Sequence, residues 1–290
     1  MALIAVVGCT RGPAAGGAAV ALRPACGDTQ RWDGATCAPR AGVADLDAGT
    51  RALAAFEVDT AVAALDRAAA HPLDHPRHVT LWEQRGIAQA YLEREPDALA
   101  AFDMLLALDP GHLLSYTLSP KATFVFEKAR AAALARGAPT LEVRWPRDQR
   151  LGAPVPLEIE IVADPTAMLR QATIYVRARG EASWRAADLT LAGPGTLRRA
   201  RLPAVPGARP TSLEIYAIAS DDAGNEVLTW ASAARPREIA LRYDPPTPWY
   251  RTWWVWAAAG GVAALGTGVV VYAAVWEPGP VVGGGIDVNE

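Results

Sequence analysis

Lysine is nearly missing from this sequence: Lys121 and Lys128 are the only two, and arginine supplies the other cations. The 28 Lys and Arg stand against 31 Asp and Glu, for a formal charge of −3, and no basic run occurs anywhere. That excludes the phosphate-tracking surface of a nucleic-acid-binding protein, so no nucleic-acid partner is expected. Cysteine is scarce as well. Cys9, Cys26 and Cys37 form no CxxC and no Cys/His cluster of zinc type. No phosphate loop, HExxH or nucleophile elbow is present, and no carboxylate pair sits where its pKa would be shifted. No cofactor is therefore expected, and the chain does not read as an enzyme. Alanine, glycine and proline fill the space these residues leave, a bias that weakens every Ala-rich pattern below.

One long oily run is present. Trp253 to Trp276 carries no charge and is bracketed by Arg251 and Glu277. As a helix it would reach roughly 36 Å, more than the ~30 Å hydrocarbon slab of a membrane. Trp249, Tyr250, Trp253, Trp254 and Trp256 at one end, and Tyr272 and Trp276 at the other, suit the headgroup layers. A single transmembrane helix is expected over 253–276, after a linker at 245–252 and before a tail at 277–290. Gly260, Ala264 and Gly268 recur every fourth residue and would let a second helix approach, a face for a homodimer in the membrane.

The start, MALIAVVGC, resembles a bacterial lipoprotein signal, with Val6, Val7 and Gly8 ahead of the cysteine. The resemblance implies lipidation at Cys9 and a signal segment over 1–9. Cys26 and Cys37 enclose the polar loop GDTQRWDGAT, and a disulfide across it would stabilise by roughly 3 kcal/mol on the chain-entropy model. Residues 10–44 otherwise read as a flexible tether. An export signal and a disulfide place the folded part on the periplasmic side of a bacterial envelope. The cations Arg235, Arg237, Arg242 and Arg251 ahead of the apolar run argue for the opposite orientation.

Helical periodicity covers 45–137. In LWEQRGIAQAYLEREPDALAAFDMLLALDP, Trp82, Gly86, Ala98, Phe102 and Pro110 stand at the characteristic positions of a tetratricopeptide repeat, which this stretch resembles. Gly86 and Ala98 would let two antiparallel helices approach, Trp82 and Phe102 would fill the space around them, and Pro110 would end the second helix. Gln89 and Leu105 depart from the pattern. A weaker copy upstream uses Gly49, Ala61, Leu65 and Ala68. Ser119 can cap, and Pro120 begin, a last helix ending near Gly137. The loop HPLDHPRH holds His71, Asp74, His75 and His78 at spacings that would suit zinc or copper on a helix face. Pro72 and Pro76 oppose a regular helix through its middle, so a polar loop without metal is expected.

From 139 to 244 the pattern changes to short alternating segments: TLEVRW, VPLEIEIV, QATIYVRAR, WRAADLTL, TLRRARLP, TSLEIYAIAS, EVLTWAS and PREIALRY. Leu157, Ile159 and Ile161 would face a core while Glu158 and Glu160 face water. The count suits a β-sandwich, and YAIASDDAGNEVLTW resembles the late hairpin of immunoglobulin-like and fibronectin type III-like domains. Asp221, Asp222 and Asn225 at its tip read as turn residues ahead of calcium ligands. Trp145, Trp184 and Trp230 read as core or edge aromatics ahead of a sugar platform.

The expected fold class is thus an α + β multidomain chain: a tetratricopeptide-like helical unit, a β-sandwich and one transmembrane helix. The expected function is that of a membrane-anchored scaffold of the envelope engaging other envelope proteins or peptides, with a regulatory or sensory subunit as the alternative.

Overall fold

Each periodic stretch becomes an element in the computed structural model of the chain. It describes residues 17–245 except Asp28 and Ala208, together with Pro248, Arg251, Trp253, Trp254, Trp256 and Ala257. In chain order the short strands β1 (Ala18–Ala19), β2 (Arg23–Pro24), β3 (Gln30–Trp32) and β4 (Cys37–Pro39) come first. The helices follow: α1 (Gly42–Ala54), α2 (Val58–Ala69), α3 (His75–Tyr91), α4 (Glu95–Leu108) and α5 (Pro120–Arg136). The rest is strand: β5 (Thr140–Arg144), β6 (Gln149–Arg150), β7 (Val155–Ala163), β8 (Gln171–Ala178), β9 (Arg185–Thr190), β10 (Leu197–Leu202), β11 (Thr211–Ser220), β12 (Glu226–Trp230) and β13 (Arg237–Arg242).

The strands form two mixed sheets and a hairpin. One sheet runs β1-β10-β7-β5; the other runs β2-β9-β8-β11-β13-β6, with β12 paired to β11. Most pairs are antiparallel, but β1 lies parallel to β10 and β13 parallel to β6. Alternation sends Leu157 and Ile159 of the first sheet and Ala172, Ile174 and Val176 of the second into one shared core. The outward Glu158 pairs with its cross-strand partner Arg199 at 2.9 Å, and Glu160 with Arg144 at 2.8 Å.

The helices do not form a repeat array, and the tetratricopeptide reading is corrected accordingly. The paired helices are out of step: α1 and α3 start at residues 42 and 75, α2 and α4 at 58 and 95, so one interval is four residues longer than the other. The helices bury two clusters of their own, but they are not closed off from the strands. Ala107 and Leu108 of α4 belong to the core of the sheets, with Val79, Trp82 and Met104 packed against it. Trp82 touches that core and both helical clusters, so it joins layers where a repeat unit would need it inside one pair. Helices and strands belong to one compact unit, Met1–Tyr243, and Asp244–Glu290 is a second. The architecture described is therefore α+β with five helices and thirteen strands, in place of a repeat domain followed by a separate sandwich.

The transmembrane helix is corrected too: among the described residues no helix is long and apolar enough to cross a membrane. Trp253, Trp254 and Trp256 are described and exposed. Apart from these and Ala257, the 253–276 run lies outside the described residues. The dimer face Gly260, Ala264 and Gly268 and the lipidation position Cys9 lie outside the described residues.

Local signals decide where helices begin. Asp74 Oδ1 accepts from Arg77 N at 3.0 Å, and Pro76 sits in the first turn of α3, where its missing donor is no loss. Ser119 caps α5 in the same way, and Gly137 follows its end with φ +79°. Gly86 faces the buried ring of Phe102, where a Cβ would overlap the ring; at Gly49 a Cβ would lie 2.7 Å from Leu65 Cγ. Ala98 is buried beside Phe102 in the same cluster, and Pro110 is exposed just past α4.

Candidate functional site

Residues 17–40 lie along the sheets. β2 adds to the edge strand β9, and the hairpin β3–β4 is closed by a Cys26–Cys37 disulfide. In the hairpin turn Asp33 Oδ1 accepts from Ala35 N at 2.8 Å and Thr36 N at 2.7 Å, and these backbone donors, Thr36 first, hold the Asp33 carboxyl below its usual range. The chain thus brings Arg23, Arg31, Trp32 and Arg40 over the outer face of the second sheet. That face is polar because alternation has turned Ala172, Ile174 and Val176 inward and left Gln171, Thr173 and Tyr175 outward, beside Asp188 on β9 and Ser220 on β11.

Between hairpin and sheet lies a cleft of about 220 Å³. A second cavity of about 320 Å³ shares Cys26, Arg40, Tyr175 and Glu226 with it and reaches Asp74 and Pro76 at the start of α3. Arg23 grips Asp188 with two bonds, Nε to Oδ2 at 2.8 Å and Nη2 to Oδ1 at 2.7 Å, and Thr173 Oγ1 donates to Oδ1 at 2.8 Å. Burial pushes the Asp188 carboxyl up, but the hydrogen bonds from Arg23 and Thr173 outweigh it and hold the group below its usual range. Arg23 also lies over the Trp32 ring, 5.1 Å from its centroid. Arg40 pairs with Glu226 in a contact where the arginine side chain is only 8% exposed, and its Nε is buried with no hydrogen-bond partner among the described residues. Tyr175 stacks on Tyr216 at 4.5 Å, and burial, reinforced by Glu226, raises its hydroxyl pKa.

Arg31 is placed differently. Its guanidinium lies against the backbone of Gly224, where a Cβ would overlap it, and Nη1 donates to Ala223 O at 3.3 Å. No carboxylate pairs with it among the described residues. Neighbouring acids are engaged elsewhere: Asp222 is 3.5 Å from Arg170, and Asp221 accepts from Asn225 N and Nδ2.

The turn at 221–225 also joins the sheet to the helices. Asn225 Oδ1 accepts from Leu73 N at 2.9 Å, its Nδ2 donates to Ala69 O at 3.4 Å, and Glu226 N donates to Leu73 O at 3.0 Å. His78, fully buried, uses both ring nitrogens: Nδ1 lies 3.0 Å from Glu226 O, and Nε2 accepts from Trp82 Nε1 at 2.8 Å. The carbonyl and the indole fix the tautomer with the proton on Nδ1. His71 is exposed in the preceding loop, and Asp74 is used as a cap paired with Arg77. Among the described residues no group of three His, Cys, Asp or Glu side chains converges as a metal site would require. Trp145 and Trp230 pack edge to face at 6.1 Å, and Trp184 meets Tyr216 at 4.7 Å while Arg177 lies over it.

Sequence reading missed Arg23, Arg31 and Arg40 because they fall in a stretch taken as a tether. Three arginines and a tryptophan around the cysteine loop were the available signal, muted by the abundance of arginine elsewhere. The chain matches no protein-family model and no curated protein, so neither the repeat nor the immunoglobulin-like resemblance gains support from similarity. The lining combines guanidinium groups, the carboxylates of Asp188 and Glu226, hydroxyls and amides on a braced frame.

Proposed function

We propose that the chain is a protein-interaction scaffold that holds a partner polypeptide at the arginine cleft. The observation that carries this reading is a site assembled from distant parts of the chain and braced in advance. The disulfide closes the hairpin, Arg23–Asp188 and Arg40–Glu226 tie it to the sheet, and Asn225 ties that sheet to the helices. A frame ordered beforehand loses little entropy on binding, which favours recognition by a rigid surface. The cleft's cysteine is locked in the disulfide and the buried histidine is spent on Trp82 and Glu226, so neither is free to act as nucleophile or base. The test is crosslinking and copurification with the full chain, alongside a Trp32→Ala, Arg31→Gln double variant. A partner captured by the parent chain and lost in the folded double variant supports the reading; equal capture by both refutes it.

A further inference from the structure

We propose that the cleft binds a single carboxylate, presented by an acidic side chain or a chain end, with Arg31 as its anchor. The inference rests on the scaffold reading and deepens it. Charge is the first argument. Among the described residues that line the cleft, Arg23, Arg31 and Arg40 bring three positive charges, and Asp188 and Glu226 return two. One negative charge closes the balance. A phosphate dianion would exceed it and stand near two carboxylates in a partly dry site, where like charges repel most strongly.

Geometry is the second. A guanidinium has five N–H donors in a fixed plane, the fork that matches a carboxylate with two parallel bonds. Arg31 spends one of them on the Ala223 carbonyl, at a long 3.3 Å. Gly224 permits the close seat, with φ +82° and no side chain in the way, so the plane is held before a ligand arrives. Lysine in the same place would offer a point charge without the fork. The buried Nε of Arg40, without an acceptor among the described residues, is a second unused donor in the same lining.

Size is the third. A volume of about 220 Å³ corresponds to about seven water molecules at the density of the liquid. An Asp or Glu side chain, a terminal carboxylate or a small free acid fits that space.

The experiment titrates the full-length protein, followed by calorimetry and by the fluorescence of Trp32 in the cleft wall, with four probes: N-acetyl-glutamate amide, N-acetyl-glutamine amide, glutarate and inorganic phosphate. The expected result is saturable binding of the glutamate probe and none of the glutamine probe. Arg31→Gln should weaken binding about tenfold or more, and Arg31→Lys by an intermediate factor, at unchanged thermal transition. Glutarate binding more tightly than the capped glutamate would support a carboxylate site while making the source a free small acid. Phosphate binding more tightly than either, equal binding of glutamine and glutamate probes, or full affinity in Arg31→Gln would each overturn the inference. The scaffold reading fails separately. If Arg31→Gln loses the partner while no carboxylate probe binds the parent chain, the scaffold stands and the carboxylate does not. If Arg31→Gln loses the probe but the Trp32→Ala, Arg31→Gln variant keeps the partner, the reverse holds.

Discussion

Helix α3 is held on two sides by opposite kinds of contact. Towards α4 the contact is apolar: Gly86 receives the Phe102 ring, and Phe102 meets Phe126 edge to face at 5.4 Å. Towards β12 the contact is polar, with His78 reading the Glu226 carbonyl and Asn225 satisfying the loop that leads into the helix. The apolar side draws its strength from area removed from water and tolerates small shifts. The polar side contributes less net energy but fails sharply, because each unmade bond leaves a buried group without water. Stability and register are thus divided between the two faces of one helix.

The largest break in this comparison is on the apolar side. Phe102→Ala should cost about 3–5 kcal/mol in urea denaturation, since the fully buried ring leaves a cavity among helices that cannot collapse onto a glycine face. Next comes the disulfide. Replacing Cys26 and Cys37 by serine should lower stability by about 3 kcal/mol on the chain-entropy model. It should also slacken the cleft, measured as faster amide exchange over residues 26–40. The polar side follows: Asn225→Ala removes the partners of Leu73 N and Ala69 O and should cost about 1–3 kcal/mol. Arg199→Ala, on the exposed pair with Glu158, is the control at the small end, about 0.2–1 kcal/mol.

Acid should sharpen the same contrast. Burial, opposed by the Glu226 carbonyl and by Asp221, lowers the pKa of His78, and His75 lowers it further. A group whose folded pKa is depressed binds protons more readily when unfolded, so its contribution is complete above the ordinary histidine pKa of about 6.5. It is lost as pH falls from there through the folded pKa. Protonation would also turn Nε2 from acceptor to donor and break the bond from Trp82. The thermal midpoint of the parent chain should therefore fall in that window, and His78→Gln should flatten the fall. A parent midpoint that holds steady there would show that His78 takes up its proton without cost.

The strands and helices were legible in the sequence for a reason visible in particular residues. The alternation of Leu157 and Ile159 with Glu158 and Glu160 reports which face is dry, and the caps Asp74 and Ser119 mark helix starts whatever lies around them. The same signals misled where they were local and the outcome was not. Gly86 and Phe102 pack as a helical hairpin should, yet packing two helices closely is a requirement shared by many arrangements, and the unequal spacing of the helix starts shows that no repeat follows. The 253–276 run reports a dislike of water, while no helix of spanning length occurs among the described residues. The cleft was almost wholly hidden. Arg31 and Gly224 lie nearly two hundred positions apart, and nothing in either neighbourhood announces the other.

Sequence alone determined the periods, the caps, the cysteine loop and the near-balance of charge, because these depend on neighbours within a few residues and on composition. Tertiary structure decided that the helices share a core with the sheets, that Asn225 and His78 hold the layers in register, and that Arg31 is seated against Gly224 with no carboxylate at ion-pair distance among the described residues. Burial and pairing are properties of groups brought together from distant parts of the chain, and they exist only once the chain has folded.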